Sequence, residues 1–358
     1  MLYHIFLALK SHYTWLNVFR YITFRAMLAF LLSFVLVLIF QPIFIRKLKQ
    51  LGLKGQPIRD DGPKEHEIKQ GTPTMGGLVV VGAVMFSALM LCDLTNLYVW
   101  LVLVVMCAYG AIGFMDDWKK ITQQNSKGLS ERQKLLYQSG TALVAALVLW
   151  LMGFSTVLTV PFLKEISVNL GVLFLLFSVL VVVGTSNAVN LTDGLDGLAI
   201  GPVMTVAATY AIFAYVAGNS KIAEYLSVNY VPGVGEISII LSAITAAGLG
   251  FLWYNTFPAS VFMGDLGALS LGGVLGFIAL LVKQELILVI AGGIFVLEAM
   301  SVIIQRYSFK ITGRRVFKMA PIHHHYELKG WAEPKIIVRF WIVSIVLALI
   351  ALTSLKLR

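Results

Sequence analysis

The chain has 358 residues, 58% of them hydrophobic and only 13% charged, with a mean hydropathy of +0.85. A soluble domain carries about 25% charged residues, so this composition excludes an ordinary water-soluble fold. The long uniform apolar runs also exclude a transmembrane barrel, whose strands alternate over about ten residues. The net charge of +10 is assigned to membrane orientation and anionic lipid contact, not to nucleic acid.

Roughly 20 apolar residues cross a hydrocarbon core. The sequence therefore predicts one all-α, polytopic membrane domain over 1–358 with about ten spans, at 23–45, 74–92, 96–115, 135–153, 170–186, 198–217, 237–254, 262–281, 286–305 and 336–355. Lys and Arg concentrate in three connections. Arg46, Lys47, Lys49, Lys54, Arg59, Lys64 and Lys69 fall in 46–71, and Lys119, Lys120, Lys127, Arg132 and Lys134 in 116–134. Arg306, Lys310, Arg314, Arg315, Lys318, Lys329 and Lys335 fall in 306–335. The positive-inside rule makes these loops cytoplasmic and both termini periplasmic. Segments 46–73, 116–134, 187–197, 255–265 and 306–335 then share the cytoplasmic face. The connections 154–169 and 218–236 read as turns or a surface helix without chemistry. Cys92 and Cys107 read as packing residues.

The motifs follow in chain order. Lys69-Gln-Gly-Thr-Pro-Thr-Met-Gly-Gly77 leads from a basic loop into the second span. Its hydroxyls and glycines suit phosphate contact, and equally suit a helix start capped by Thr74 with small residues for packing. Asp116 and Asp117 end the third span; neighbours on a helix point about 100° apart, so one faces a site while the other anchors it. Asn187, Asn190, Asp193 and Asp196 recur every third residue and would share one helical stripe, offering hard oxygen donors for Mg²⁺ or for nucleotide hydroxyls. Asp265 opens the eighth span, where an acid also serves as an ordinary cap. Glu298, inside the ninth span, reads as hydrogen-bonded to a neighbouring helix. Pro321-Ile-His-His-His-Tyr-Glu-Leu-Lys-Gly330, with Arg314, Arg315 and Lys318 nearby, reads as an anion-binding arm and not a zinc site. Ionisable groups beside a bilayer usually mark chemistry or transport, and here the acids and histidines all fall at one predicted face.

Taken together, Asp61-Gly-Pro, the 69–77 string, Asp116-Asp117, Asn187-Ala-Val-Asn-Leu-Thr-Asp-Gly-Leu-Asp-Gly197, Asn255-Thr, Phe262-Met-Gly-Asp265 and Ala320-Pro-Ile-His-His-His-Tyr-Glu-Leu-Lys-Gly-Trp331 resemble the polyprenyl-phosphate N-acetylhexosamine-1-phosphate transferase superfamily. The His-His-His-Tyr-Glu segment points to its muramoyl-pentapeptide branch. Ala268 departs from the pattern, standing where Ser is expected; one hydrogen bond near the metal is lost.

The resemblance implies a bacterial inner-membrane, Mg²⁺-dependent enzyme that joins UDP-N-acetylmuramoyl-pentapeptide to undecaprenyl phosphate, with UMP as co-product. A homodimer is a further expectation. It implies Asp265 as metal ligand, Asp116 as a base or positioning group for the lipid phosphate, and Asp117 and Asp193 as groups shaping the site. Lys69, Thr74, Asn187, Asn190, Asp196, Asn255 and Phe262 would bind the nucleotide, Phe262 by stacking on uracil. Lys120, His323, His324 and His325 would hold phosphates or the sugar, with His324 placed among the catalytic groups. Three other readings stay open: a sister transferase with another N-acetylhexosamine, a secondary transporter, and a membrane scaffold.

Overall fold

The structure, a computed structural model, describes residues 1–50, 71–123, 128–163 and 166–356. Lys69 and Asp61 lie outside the described residues. Among the described residues the regular structure is helical apart from one short hairpin. A surface helix α1 (Leu2–Leu9) precedes α2 (Ile22–Gln50), α3 (Gly77–Leu91), α4 (Leu97–Gln123) and α5 (Glu131–Leu151). The hairpin β1 (Val157–Thr159) and β2 (Ser167–Asn169) leads into α6 (Leu173–Thr192) and α7 (Ile200–Ala217). After them come α8 (Ser220–Leu226), α9 (Ile237–Asn255), α10 (Gly264–Leu281), α11 (Ile287–Ala291), α12 (Gly293–Thr312), α13 (Ile322–Glu327) and α14 (Glu333–Thr353).

Eight of these helical segments are long and apolar enough to cross a membrane. Two predicted spans look different. The second becomes α3, an apolar helix of 15 residues. The ninth, 286–305, is broken at Gly292 into α11 and α12, because Gly breaks regular helix readily. In the 218–236 connection, α8 supplies the surface helix. Cys92 is buried as expected, but Cys107 is exposed on the outer face of α4.

Helix α10 is the centre. Every one of its residues except Asp265 is buried, and it packs against α3, α4, α6 and α7. A helix that is apolar all round belongs inside, and small residues let neighbouring backbones approach. Gly77 meets the Gly267 backbone so closely that an added Cβ would stand 2.4 Å from its Cα. Helices α2, α5 and α14 line the rim and leave Leu31, Leu136, Val144 and Leu349 exposed. Pro42 inside α2 cannot donate to Leu38, and the freed carbonyl accepts from Tyr254 Oη at 3.0 Å, tying α2 to α9.

The bundle has two distinct ends. At one end, the Met1 amine donates to the Leu89 and Met90 carbonyls and Lys356 reaches Tyr225 Oη, so both described chain termini meet there. The end of α4, the end of α6 and the start of α10 lie at the other, where the acids gather.

Candidate active site

The site is built on the contact between α4 and the first turn of α10. Gly113 makes it possible, since a Cβ there would lie 2.4 Å from the Asp265 carbonyl oxygen. The Asp pair then divides as its helical spacing requires. Asp117 turns to α10: its Oδ1 accepts from the Asp265 N–H at 3.2 Å and its Oδ2 from the Leu266 N–H at 3.1 Å. It thereby satisfies donors that a helix N-terminus leaves unpaired. Asp116 turns to the pocket, where Oδ1 accepts from the Leu129 N–H at 2.8 Å and Oδ2 lies 2.7 Å from Lys120 Nζ.

Asp265 completes the cluster. Its Oδ2 lies 3.1 Å from Lys120 Nζ and 2.5 Å from Lys134 Nζ, and its Oδ1 accepts from Asn190 Nδ2 at 2.8 Å. Lys134 is also 3.7 Å from Asp116. Both ammonium groups thus bridge Asp116 and Asp265. Three carboxyl groups face two ammonium groups in a largely buried site. Asp116, Asp117 and Asp265 offer ligand oxygens within 4.8 Å of one another, and hard carboxylate oxygens are what a divalent cation such as Mg²⁺ takes.

Lys134 was counted in the sequence only as a loop charge. The signal that places it is the Ser130–Gln133 capping box, which starts α5 immediately before it. Gln138 was not singled out either. It is buried, and its Oε1 accepts from Asn187 Nδ2 at 2.8 Å, joining α5 to α6.

The three-residue spacing does not make one stripe. Only Asn187 and Asn190 are helical; α6 ends at Thr192, and Asp193 and Asp196 lie in the turns beyond it. Asp193 is part-buried, and burial, followed by the charges of Asp265, Asp117 and Asp196, pushes its carboxyl up to about 8. Asp196 Oδ2 accepts from the Ala259 N–H at 2.9 Å, while its own N–H donates to Glu333 Oε1 at 2.9 Å. Glu333, unnoticed in the sequence, so links the turn to α14.

Other predicted residues act on the scaffold. Asn255 is buried and donates to the Val261 carbonyl at 2.8 Å. The Phe262 N–H donates to Pro73 O at 2.8 Å, and its carbonyl accepts from the Gly76 N–H at 2.9 Å. This pairing makes 73–77 a backbone brace for the start of α10. Thr74 is buried within the brace, close to Gly264.

The three histidines diverge. His323 is buried, with Nδ1 at 3.1 Å from Glu298 Oε2. His324 is part-exposed, with Nδ1 at 2.5 Å from Glu327 Oε2. His325 Nδ1 accepts from the Lys318 N–H at 3.0 Å. Desolvation, with Lys329 and Lys318 adding to it, lowers the pKa of His325 below the usual imidazole value, so it adds no cation at neutral pH. Lys318 Nζ donates to the Leu328 carbonyl at 2.7 Å. The three histidines lie on the short helix α13.

A family model described as glycosyl transferase family 4 matches residues 99–283. That range holds the Asp pair, Lys134, the 187–197 segment and Asp265. Proteins from Citrifermentans bemidjiense and Syntrophus aciditrophicus are each 55% identical to this chain, and one from Geobacter sp. is 54% identical. All three alignments cover the whole of both chains, and all three proteins are named phospho-N-acetylmuramoyl-pentapeptide-transferase. The chain belongs to glycosyl transferase family 4, among the phospho-N-acetylmuramoyl-pentapeptide-transferases.

Proposed function

We infer that this chain transfers phospho-N-acetylmuramoyl-pentapeptide from its UDP conjugate to undecaprenyl phosphate, giving the lipid-linked product and UMP. The observation that carries the reading is the Asp116–Asp265 pair bridged by Lys120 and Lys134 at one end of an apolar bundle, in a chain of this family. Such a cluster receives a diphosphate at the boundary where a water-soluble nucleotide meets a lipid.

An oxygen of the lipid phosphate attacks the sugar-linked phosphorus of the donor. The new P–O bond forms as the bond to the UMP oxygen breaks, and UMP leaves with that electron pair. A phosphate monoester has a second pKa near 6, so the attacking dianion is already common at neutral pH. Asp116 is accordingly assigned to positioning. Lys120 and Lys134 neutralise phosphate oxygens, and Asp117 keeps the start of α10 in register with α4. Asp265, with Asp116, would hold Mg²⁺, which when bound supplies Lewis-acid neutralisation of the diphosphate charge. Asp193, Asp196, Asn190 and Phe262 are assigned to the donor nucleotide, and Lys69 is assigned to it by resemblance alone. The three Lys/Arg-rich connections of the sequence support a cytoplasmic placement of this end in a bacterial inner membrane, and a homodimer is a family expectation.

The test is UMP release by detergent-purified protein given both substrates, with and without Mg²⁺, beside Asp265→Asn. Release that requires both substrates and the metal, and falls by about a thousandfold in the variant, supports the reading. Preference for a different UDP-N-acetylhexosamine would move it to the sister transferases. No release from any UDP-sugar, with uptake by liposomes, would replace catalysis by transport.

A further inference from the structure

Glu298 lies in the second turn of α12, fully buried. A carboxylate there needs a partner, since burying an uncompensated charge is strongly unfavourable. Among the described residues its ion-pair partner is His323, 1% exposed, with Nδ1 3.1 Å from Oε2; the two are not aligned as a hydrogen bond, so the hydrogen bond expected for Glu298 is not made there and both side chains are held by charge and packing. The other side of that imidazole presses on Gly194: a Cβ on the glycine would stand 2.3 Å from His323 Nε2. Gly194 belongs to the turn that carries Asp193 and Asp196, and its N–H donates to the Thr192 carbonyl at 2.9 Å. A continuous line of contact therefore runs from the interior of α12 to the acidic turn.

The neighbouring imidazole has a carboxylate partner of its own nearer the surface, and there the contact is a hydrogen bond. The His324 ring lies 4.1 Å from that of His323, and Glu327 stands behind its Nδ1. A carboxylate at Nδ1 sets the tautomer and holds the ring plane. The two histidines differ in what their far sides meet. His323 is sealed against a glycine, while His324 is part-exposed.

We propose that Glu298 is a positioning residue: its carboxylate, beside Nδ1 of His323, keeps that imidazole pressed against Gly194 and so sets the 193–197 turn for the donor. This rests on the transfer reaction proposed above. Glu298→Gln keeps the side-chain shape but removes the carboxylate charge beside Nδ1 without opening a cavity.

The experiment measures kcat and the KM for each substrate in wild type, Glu298→Gln, His323→Ala and the double variant, all full-length, together with their unfolding temperatures. Glu298→Gln is expected to raise the donor KM by about tenfold, the usual scale for the partner of a functional histidine. The undecaprenyl phosphate KM and the unfolding temperature stay near wild type. On the His323→Ala background the same change adds less than about twofold, because coupled residues are not additive. An unchanged donor KM, or a full tenfold loss repeated without His323, overturns the proposal. Should Glu298→Gln not fold, Gly194→Ala pushes on the imidazole from the opposite side, and a normal donor KM there overturns it equally. A wild type inert toward this donor defeats the reaction and the inference together; an active wild type with indifferent variants defeats the inference alone.

Discussion

Two groups of buried charge sit at opposite ends of the bundle, and they differ in how each is balanced. At the terminal end, Arg25 Nη1 and Nη2 grip Glu236 at 2.7 and 2.6 Å, and Nη1 also donates to the Leu91 carbonyl at 3.0 Å. Glu236 further accepts from the Asp93 N–H at 2.9 Å, and the Tyr3 ring covers the guanidinium at 4.1 Å. One cation matches one anion in a bidentate fork, closed over by protein. At the other end the carboxylates outnumber the lysines, and Asp265 remains the one α10 residue that is not buried. A closed, neutral pair ties α2 to the start of α9. A cluster that stays partly exposed at Asp265 and holds more carboxyl than ammonium groups is poised for a charged ligand.

That contrast is breakable by mutation. The largest expected effect is on folding at the terminal end: Arg25→Met alone strands a buried carboxylate and costs about 3–5 kcal/mol. Arg25→Met with Glu236→Leu recovers most of it. Chemical denaturation of the two variants in detergent measures the difference, and equal losses would show that the pair is not a unit. At the site end the sign reverses, with function hit and folding spared. Lys134→Met is expected to lower turnover by roughly ten- to a hundredfold, on the scale of one lost charged contact of about 1.5–3 kcal/mol, with an unchanged unfolding midpoint. A destabilised but fully active Lys134→Met would make the two ends alike.

The smallest effect concerns pH. The Asp193 carboxyl is raised from 3.8 to about 8 in the fold. The stability linked to its protonated form is therefore complete below the unfolded value and declines as pH rises towards and through about 8. The unfolding temperature of metal-free protein should fall between pH 6 and 9, and Asp193→Asn should flatten that slope by a degree or two. An identical slope in the variant would remove Asp193 from the balance.

Hydropathy and charge alone were enough for the helical class, for the approximate ends of most spans and for the co-location of Asp116, Asp117, Asp193, Asp196 and Asp265. These are local properties: a run of apolar residues specifies a helix in lipid, and charges collect where such runs end. The division of labour within the acidic set was not local. That Asp117 spends both oxygens on α10 while Asp116 faces the lysines depends on the rotation of α4 about its axis, which Gly113 and the α10 backbone decide together. Lys134 reaches Asp265 across 131 residues of sequence, and Glu298 finds His323 only because α12 and α13 fold against each other. Spacing along a chain states which side chains are able to share a face; packing of the surrounding helices decides which of them do.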